Sequence, residues 1–448
     1  SDITFALAEL YNFGKPLVVE TDVTVQIPSD FATLQAAVDF YSAFIVKQGV
    51  RITLNIETGH QITAGLLVAD GDYSHFYISS TDATVEVSDA FVGVHGPDGS
   101  GTITDGSVVM AYNARGPILG TILDGREIAR TGYYLLRNAT GGSDRPVHST
   151  EEEPGGAPTA GAINMLHAAI KAQEGSVGYW ENSKATNCGT GGVYAERSST
   201  IHAEFADASN CIRGFIAVRG STIGAGGSKA DGCHNGYWAL RASTISAEDS
   251  SADGCKAQGY RAEQGGTINA HNSSGKNCDG TSTDPRAGIT PSMYKGCGYF
   301  AYRGGINAAM SDASGSAAYG YASHEALGIK APNSTANGCL SAVFALYSEG
   351  GVFNSLIADD STGDAVSINY NSSATLRAAD IDDALGHGVI VRNGSSVDLA
   401  EASIVNSGNG VTASMSGVYL DNGSRGNCDI ATVTGSTGKD LRVNGGST

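Results

Sequence analysis

Between Gly192 and Leu420, apolar and small residues alternate with polar ones in short bursts, and the bursts return every 22 or 23 residues. "GYWALRASTISAEDSSADGC" (236–255) and "GYRAEQGGTINAHNSSGKNC" (259–278) show the unit. Units open at Gly192, Gly214, Gly236, Gly259, Gly298, Gly320, Ala342, Ala365, Gly388 and Gly417, and only the steps to Gly298 and Gly417 exceed 23 residues. The residue after each opening is Val193, Phe215, Tyr237, Tyr260, Tyr299, Tyr321 and then valine, and two positions on stands Ala195, Ala217, Ala239, Ala262 or Ala301. This period-2 pattern predicts a strand with one buried face. A Gly/Ser turn and a second short strand follow, "STI" at 199–201, 221–223 and 243–245 and "GTI" at 266–268.

A coil of about 22 residues with two or three short strands and no room for a helix predicts an all-β solenoid, the parallel β-helix, whose equivalent positions stack about 4.8 Å apart. No coil has a core of its own, so like must stack on like. The eight cysteines follow the same period: Cys188, Cys211, Cys233, Cys255 and Cys278 are 22 or 23 residues apart, followed by Cys297, Cys339 and Cys428. One thiol per coil predicts a ladder of free, buried cysteines, since stacked rungs hold Cβ atoms farther apart than the roughly 3.8 Å of a disulfide. Without CxxC pairs and partner histidines no zinc or other metal site is expected, and no cofactor either.

Upstream the pattern changes. Over 28–62, Leu34, Ala37, Val38, Tyr41 and Ile45 share one helical face, Thr33 or Asp30 can cap it, Gly49 can end it, and the strand "RITLNI" follows. An amphipathic helix there would cover the open end of a β-helix. The segment "ATLQAAVDF…GVRITLNIETGH", continued by "LLVADGDYSHFYISS", resembles the entry of pectin-lyase-like right-handed β-helices of the kind found in bacteriophage tailspikes and gene transfer agent spikes. The resemblance spans about 26–80 by motif and 185–430 by architecture. It implies a right-handed coil with an N-terminal capping α-helix and a homotrimer or other homo-oligomer. It further implies a place on a virion surface, with a virion attachment protein held through residues 1–27 and a bacterial surface polysaccharide such as capsule or O-antigen as partner; a purely structural spike with no ligand is a third reading beside the binding spike and a depolymerase. Organisation then reads as an attachment or oligomer-contact segment (1–27), with an extra strand of the same domain as the alternative for 1–25, cap and entry strand (28–62), irregular coils (63–184) and regular coils (185–448). "GGSDRPVHSTEEEPGGAPTA" (141–160) reads as a loop, 161–175 as a short helix, and 279–296 as an insertion whose Asp284, Arg286 and Tyr294 could overhang a groove.

Charge narrows the function. A formal net charge of −19 opposes a general nucleic-acid or anionic-membrane surface. No run of 18 apolar residues exists to insert in a membrane, and "SDITFALAEL" lacks a basic n-region, so no secretory signal peptide is expected.

No GxSxG, HExxH, P-loop or EF-hand motif is present. If the chain is an enzyme, a polysaccharide depolymerase, the candidates are Asp359, Asp360 and Asp364, one period before Asp380, Asp382 and Asp383, because glycoside hydrolysis needs two carboxylates about 5–9.5 Å apart. Turn-capping aspartates are the alternative. For a lyase, Arg377 near Asp380 is the base–cation pair on offer. For binding, the position between the two inward ones carries Tyr194, Ile216, Trp238, Arg261, Phe300, Ala322, Phe344, Ser367, Ile390 and Tyr419, an expected exposed aromatic strip. Beside it, at the turn, come Arg197, Arg219, Arg241, Gln264 and Arg303. Sugars stack on aromatic faces and acidic glycans pair with guanidinium groups. The other reading pairs the arginines with Glu196, Glu248 and Glu263 and turns the aromatics to a neighbouring subunit. His324 falls on a predicted strand, where a surface or polar-core role suffices.

Overall fold

The computed structural model describes residues 17–94, 106–143, 160–282, 294–408, 415–429 and 431–448. The chain divides into two compact units, Ser1–Ala185 and Thr186–Thr448. Residues 1–16 of the expected attachment segment, 144–159 of the expected loop, and Asp284 and Arg286 lie outside the described residues. No helix among the described residues is long and apolar enough to cross a membrane.

In the first unit, helix α1 (Leu34–Tyr41) is capped by Thr33, whose hydroxyl accepts the Ala36 amide at 3.2 Å, and it buries Leu34, Ala37, Val38 and Tyr41. It stops well short of Gly49 because Ser42 closes the last turn, its amide donating to Val38 O at 2.8 Å. Ile45 is 55% exposed and pairs instead in a two-residue strand with Val18. Parallel pairing outranks the helical pattern there. The coil strands then stack in parallel, Val23–Ile27 on Ile52–Ile56 on Phe76–Ser80. A second face stacks Ser107–Tyr112, Thr131–Leu136 and Ala168–Gln173. The helix expected over 161–175 is therefore two strands, Gly161–Ile163 and Ala168–Gln173. Ala168, Ile170 and Ala172 satisfy a period of two, and stacking on Thr131, Tyr133 and Leu135 selects it.

In the second unit every repeat is one coil of a right-handed parallel β-helix, the hand that crossovers between parallel strands take. The register is the one the repeat dictates: Val193↔Phe215↔Tyr237↔Tyr260↔Tyr299↔Tyr321↔Val343. The second strands stack Ile201↔Ile223↔Ile245↔Ile268↔Ile306. A third ladder begins as single bridges, Asp207↔Lys229↔Ser251↔Ser274, and widens to Ile357–Asp359 on Asp380–Asp382 on Ser403–Val405. Glycine opens the units because backbone passes close by. A Cβ on Gly236 would sit 2.5 Å from Ala252 Cβ and 2.6 Å from Gly259 O.

The inner aromatic row is a stack. Phe215, Tyr237, Tyr260, Tyr299 and Tyr321 lie 4.7–5.1 Å apart, the first four within 4° of parallel. Tyrosine is tolerated in this dry core because each hydroxyl reaches a serine at the far turn, Ser228, Ser250, Ser273 and Ser311, at 2.9 Å. The satisfied phenols remove the cost of a buried polar group.

All eight cysteines are free thiols, but the expected ladder needs two corrections. Cys297 sits on the first-strand face in register with Gln258, and Ser316 fills the rung between Cys278 and Cys339. Cys428 is only half-buried.

Candidate functional site

The outward row on the first-strand face is not an exposed strip. Trp238 is 6% exposed, Arg261 1% and Phe300 2%. Two guanidinium groups lie over the Trp238 indole, Arg213 at 4.6 Å and Arg261 at 4.3 Å from the ring centre. The indole N–H donates to Glu263 Oε2 at 3.2 Å, while Arg261 Nη2 meets Glu263 Oε1 at 2.7 Å. Burial pulls the Arg261 guanidinium below its ordinary pKa, and the Glu263 carboxylate opposes the shift. Phe300 lies under Tyr294, which the insertion lays on it at 4.8 Å, and Phe344 packs on Tyr319 at 4.6 Å. Tyr194 is half-buried, its phenol pushed up to about 12 by burial and by Glu196. Coil spacing brings long side chains one rung away over Trp238 and Phe344, and the insertion brings Tyr294 over Phe300. Trp238, Arg261 and Phe300 thus keep no open face for a ligand.

The turn column does reach solvent. Arg197, Arg219, Arg241, Gln264 and Arg303 are exposed, and each adopts left-handed backbone with φ between +50° and +58°. The column continues through Glu325, Tyr347 and Tyr370, again at positive φ. A ladder of amides, such as Arg219 N to Leu240 O at 3.2 Å and Glu325 N to Leu346 O at 2.9 Å, fixes one outward side chain per coil. Tyr347 and Tyr370 are 51% and 45% exposed and stack at 5.0 Å. Sequence reasoning ended this column at Arg303; three further repeats would have found both tyrosines. Arg219 pairs with Glu196 at 2.7 Å and Arg303 with Glu325 at 2.5 Å, while the Arg241 side chain forms no ion pair with a described residue. Of the other expected partners, Glu263 is held by Arg261, and Glu248 accepts from Ser246 and Asn269.

The aspartate clusters meet in part. Asp359 and Asp382 are register partners on adjacent coils. Asp359 is half-buried, and desolvation followed by the charges of Asp380, Asp382, Asp360 and Asp383 raises its carboxyl above the usual range. Asp364 stands apart, its carboxylate accepting the His387 amide at 2.8 Å. Arg377 does not serve Asp380: its Nε donates to Asp398 Oδ2 at 2.7 Å. Burial raises the Asp398 carboxyl, but hydrogen bonds from Arg377, the Ala400 amide and Asn427, with the Arg377 charge, hold it below the usual range.

No family model and no curated protein matches the chain. Similar solved structures include the A-module of the Azotobacter vinelandii mannuronan C-5 epimerase AlgE4, at 12% identity over 98% of each chain with a TM-score of 0.33. Another is the GH136 lacto-N-biosidase of Eubacterium ramulus, at 10% identity over 88% of this chain and 66% of that one, TM-score 0.31. A third is the Dettilon tailspike protein, at 12% identity over 94% and 68%, TM-score 0.25.

Proposed function

We propose that the protein is a virion spike that binds a bacterial surface polysaccharide, capsule or O-antigen, along the turn column from Arg197 to Tyr370. The observation that carries this reading is the exposed, stacked pair Tyr347 and Tyr370 in the same column as Arg219, Arg241 and Arg303, one side chain per coil. A linear glycan lying along the coil axis meets a cation or an aromatic face at nearly every rung. The entry segment that resembles phage spikes adds the setting: a homo-oligomer attached through residues 1–27 and displayed on a virion. The test is to incubate the pure protein with candidate capsules and O-antigens and measure retention together with new reducing or unsaturated ends. Retention without new ends is expected. Tyr370→Ala should weaken it by about 1–2 kcal/mol, the scale of a contact hot spot. Arg241→Ala should weaken it mainly at low salt if the glycan is acidic. A polymer retained equally by both variants would move the binding surface elsewhere.

One observation favours a depolymerase as the second reading. Asp359 has the raised carboxyl a general acid needs, and Asp382 is its partner one strand away. Should new ends appear, Asp359→Asn or Asp382→Asn should abolish them while retention persists. Unchanged turnover would remove the cluster.

A further inference from the structure

Where the arginine half of the column gives way to the tyrosine half, the strand Tyr319–His324 ends in a half-buried histidine. The His324 ring lies 5.3 Å from Tyr302 and 6.3 Å from Tyr347. Its Nδ1 is 3.0 Å from the hydroxyl of Tyr294. Tyr294 is 1% exposed, and among the described residues that hydroxyl has no other hydrogen-bond partner, so donation to Nδ1 is the arrangement that satisfies its proton. The remaining proton of the neutral ring is then on Nε2. Burial lowers the His324 pKa, with Glu325 raising and Arg303 lowering it, so the ring is neutral near pH 7.

Nε2 lies 3.7 Å from Glu325 Oε1, too far for a hydrogen bond. Glu325 is held from the other side by Arg303, through Nε and Nη2 to Oε2, both at 2.5 Å. The result is an open donor and an open carboxylate oxygen side by side, next to the exposed ring of Tyr347. A single hydroxyl can bridge them, accepting from Nε2–H and donating to Oε1. A carboxylate or phosphate group cannot take that place, because it has no proton for Glu325, and an acidic sugar brought there by its hydroxyls meets the Glu325 charge while the Arg303 guanidinium is already paired.

We infer that Tyr302, Arg303, His324, Glu325 and Tyr347 form a subsite for an uncharged pyranose, its ring on Tyr347 and one hydroxyl bridging His324 and Glu325. This rests on the glycan-binding reading and deepens it: the polymer would be a heteropolysaccharide with a neutral sugar here and any charged residue at Arg241.

The test uses the full chain with lactose, cellobiose and maltose as neutral probes and digalacturonate as the charged one, following the His324 ring signals by NMR. At least one neutral disaccharide should shift His324 in a saturable way and digalacturonate should not. Glu325→Gln, an exposed change that keeps the fold, should weaken that binding about tenfold, the effect of one charge-assisted hydrogen bond. His324→Gln, checked for an unchanged melting temperature, should do the same. No shift with any neutral probe, or a response to digalacturonate alone, overturns the subsite. If polysaccharide retention is then still lost in Tyr370→Ala, the binding edge stands without it. If disaccharides bind at His324 while no surface polysaccharide is retained, the spike reading fails and the subsite stands.

Discussion

The guanidinium of Arg261 covers the indole of Trp238 from the next coil, 4.3 Å from the ring centre, at the strand register Trp238↔Arg261. The same arginine binds Glu263, which accepts the indole N–H, so three side chains close a buried ring of contacts. Trp238→Ala should therefore destabilise the fold by about 3–5 kcal/mol, as expected for a large aromatic removed from a packed site. Chemical denaturation measures it. A variant as stable as the parent would show that Arg213 and Arg261 do not depend on the ring.

The core tyrosines make a separate prediction. Tyr260 Oη meets Ser250 Oγ at 2.9 Å and Ser250 O at 3.1 Å in a fully buried setting. Tyr260→Phe keeps the stack with Tyr237 and Tyr299 and removes the phenol's bonds to Ser250, whose hydroxyl still donates to Ala247 O, so it should cost about 0.5–1.5 kcal/mol. Ser250→Ala in the same background should then cost less than it does alone, the signature of a shared bond in a double-mutant cycle.

The thiols should be silent in the native protein. Burial holds Cys211, Cys255 and Cys297 well above the ordinary thiol range and Cys339 at about 12, and all four are shielded from solvent. Only Cys428, half-buried and less strongly raised, should react before unfolding. Titration with a thiol reagent should count one slow thiol native and eight denatured; a native count above one would mean the ladder opens locally.

Stability should fall in mild acid. Burial lowers His75, His324 and His387 below their ordinary value of 6.5. The unfolded chain then binds more protons than the native one, so stability is fully present above about pH 6.5 and is lost as pH drops through the folded values. His387 adds a specific latch, since its Nδ1 accepts the Ser416 amide at 2.9 Å and a protonated ring cannot. Melting temperatures between pH 7.5 and 5 should decline, and His387→Gln should flatten the slope. A flat wild-type profile would contradict the burial of these rings.

How much was legible in the sequence depends on whether a feature repeats. Tyr237, Tyr260 and Tyr299 share a repeat position, and stacking like on like admits one register, so the coil, its inward face and the turn column could be written down from spacing alone. Asp359 and Asp382 met for the same reason. Features set once were not legible. Helix α1 ends at Tyr41, where Ser42 caps it, and Ile45 beyond it found a strand partner, while 168–173 is a strand because Tyr133 and Leu135 lie beneath it. The row through Trp238 reads as outward, and it is outward from the coil core. Whether such a row meets water depends on what neighbouring coils and the returning insertion lay over it: Arg213, Arg261 and Tyr294 cover it. His324 became a site residue only when Tyr294, 30 positions away, came within hydrogen-bond reach. The sequence by itself determined the period, and with it every contact between equivalent positions. Only the tertiary structure decided which outward side chains are covered, because covering depends on which way long side chains turn, Arg261 from the equivalent position on the next coil and Arg213 and Tyr294 from non-equivalent ones, and repeat spacing encodes neither.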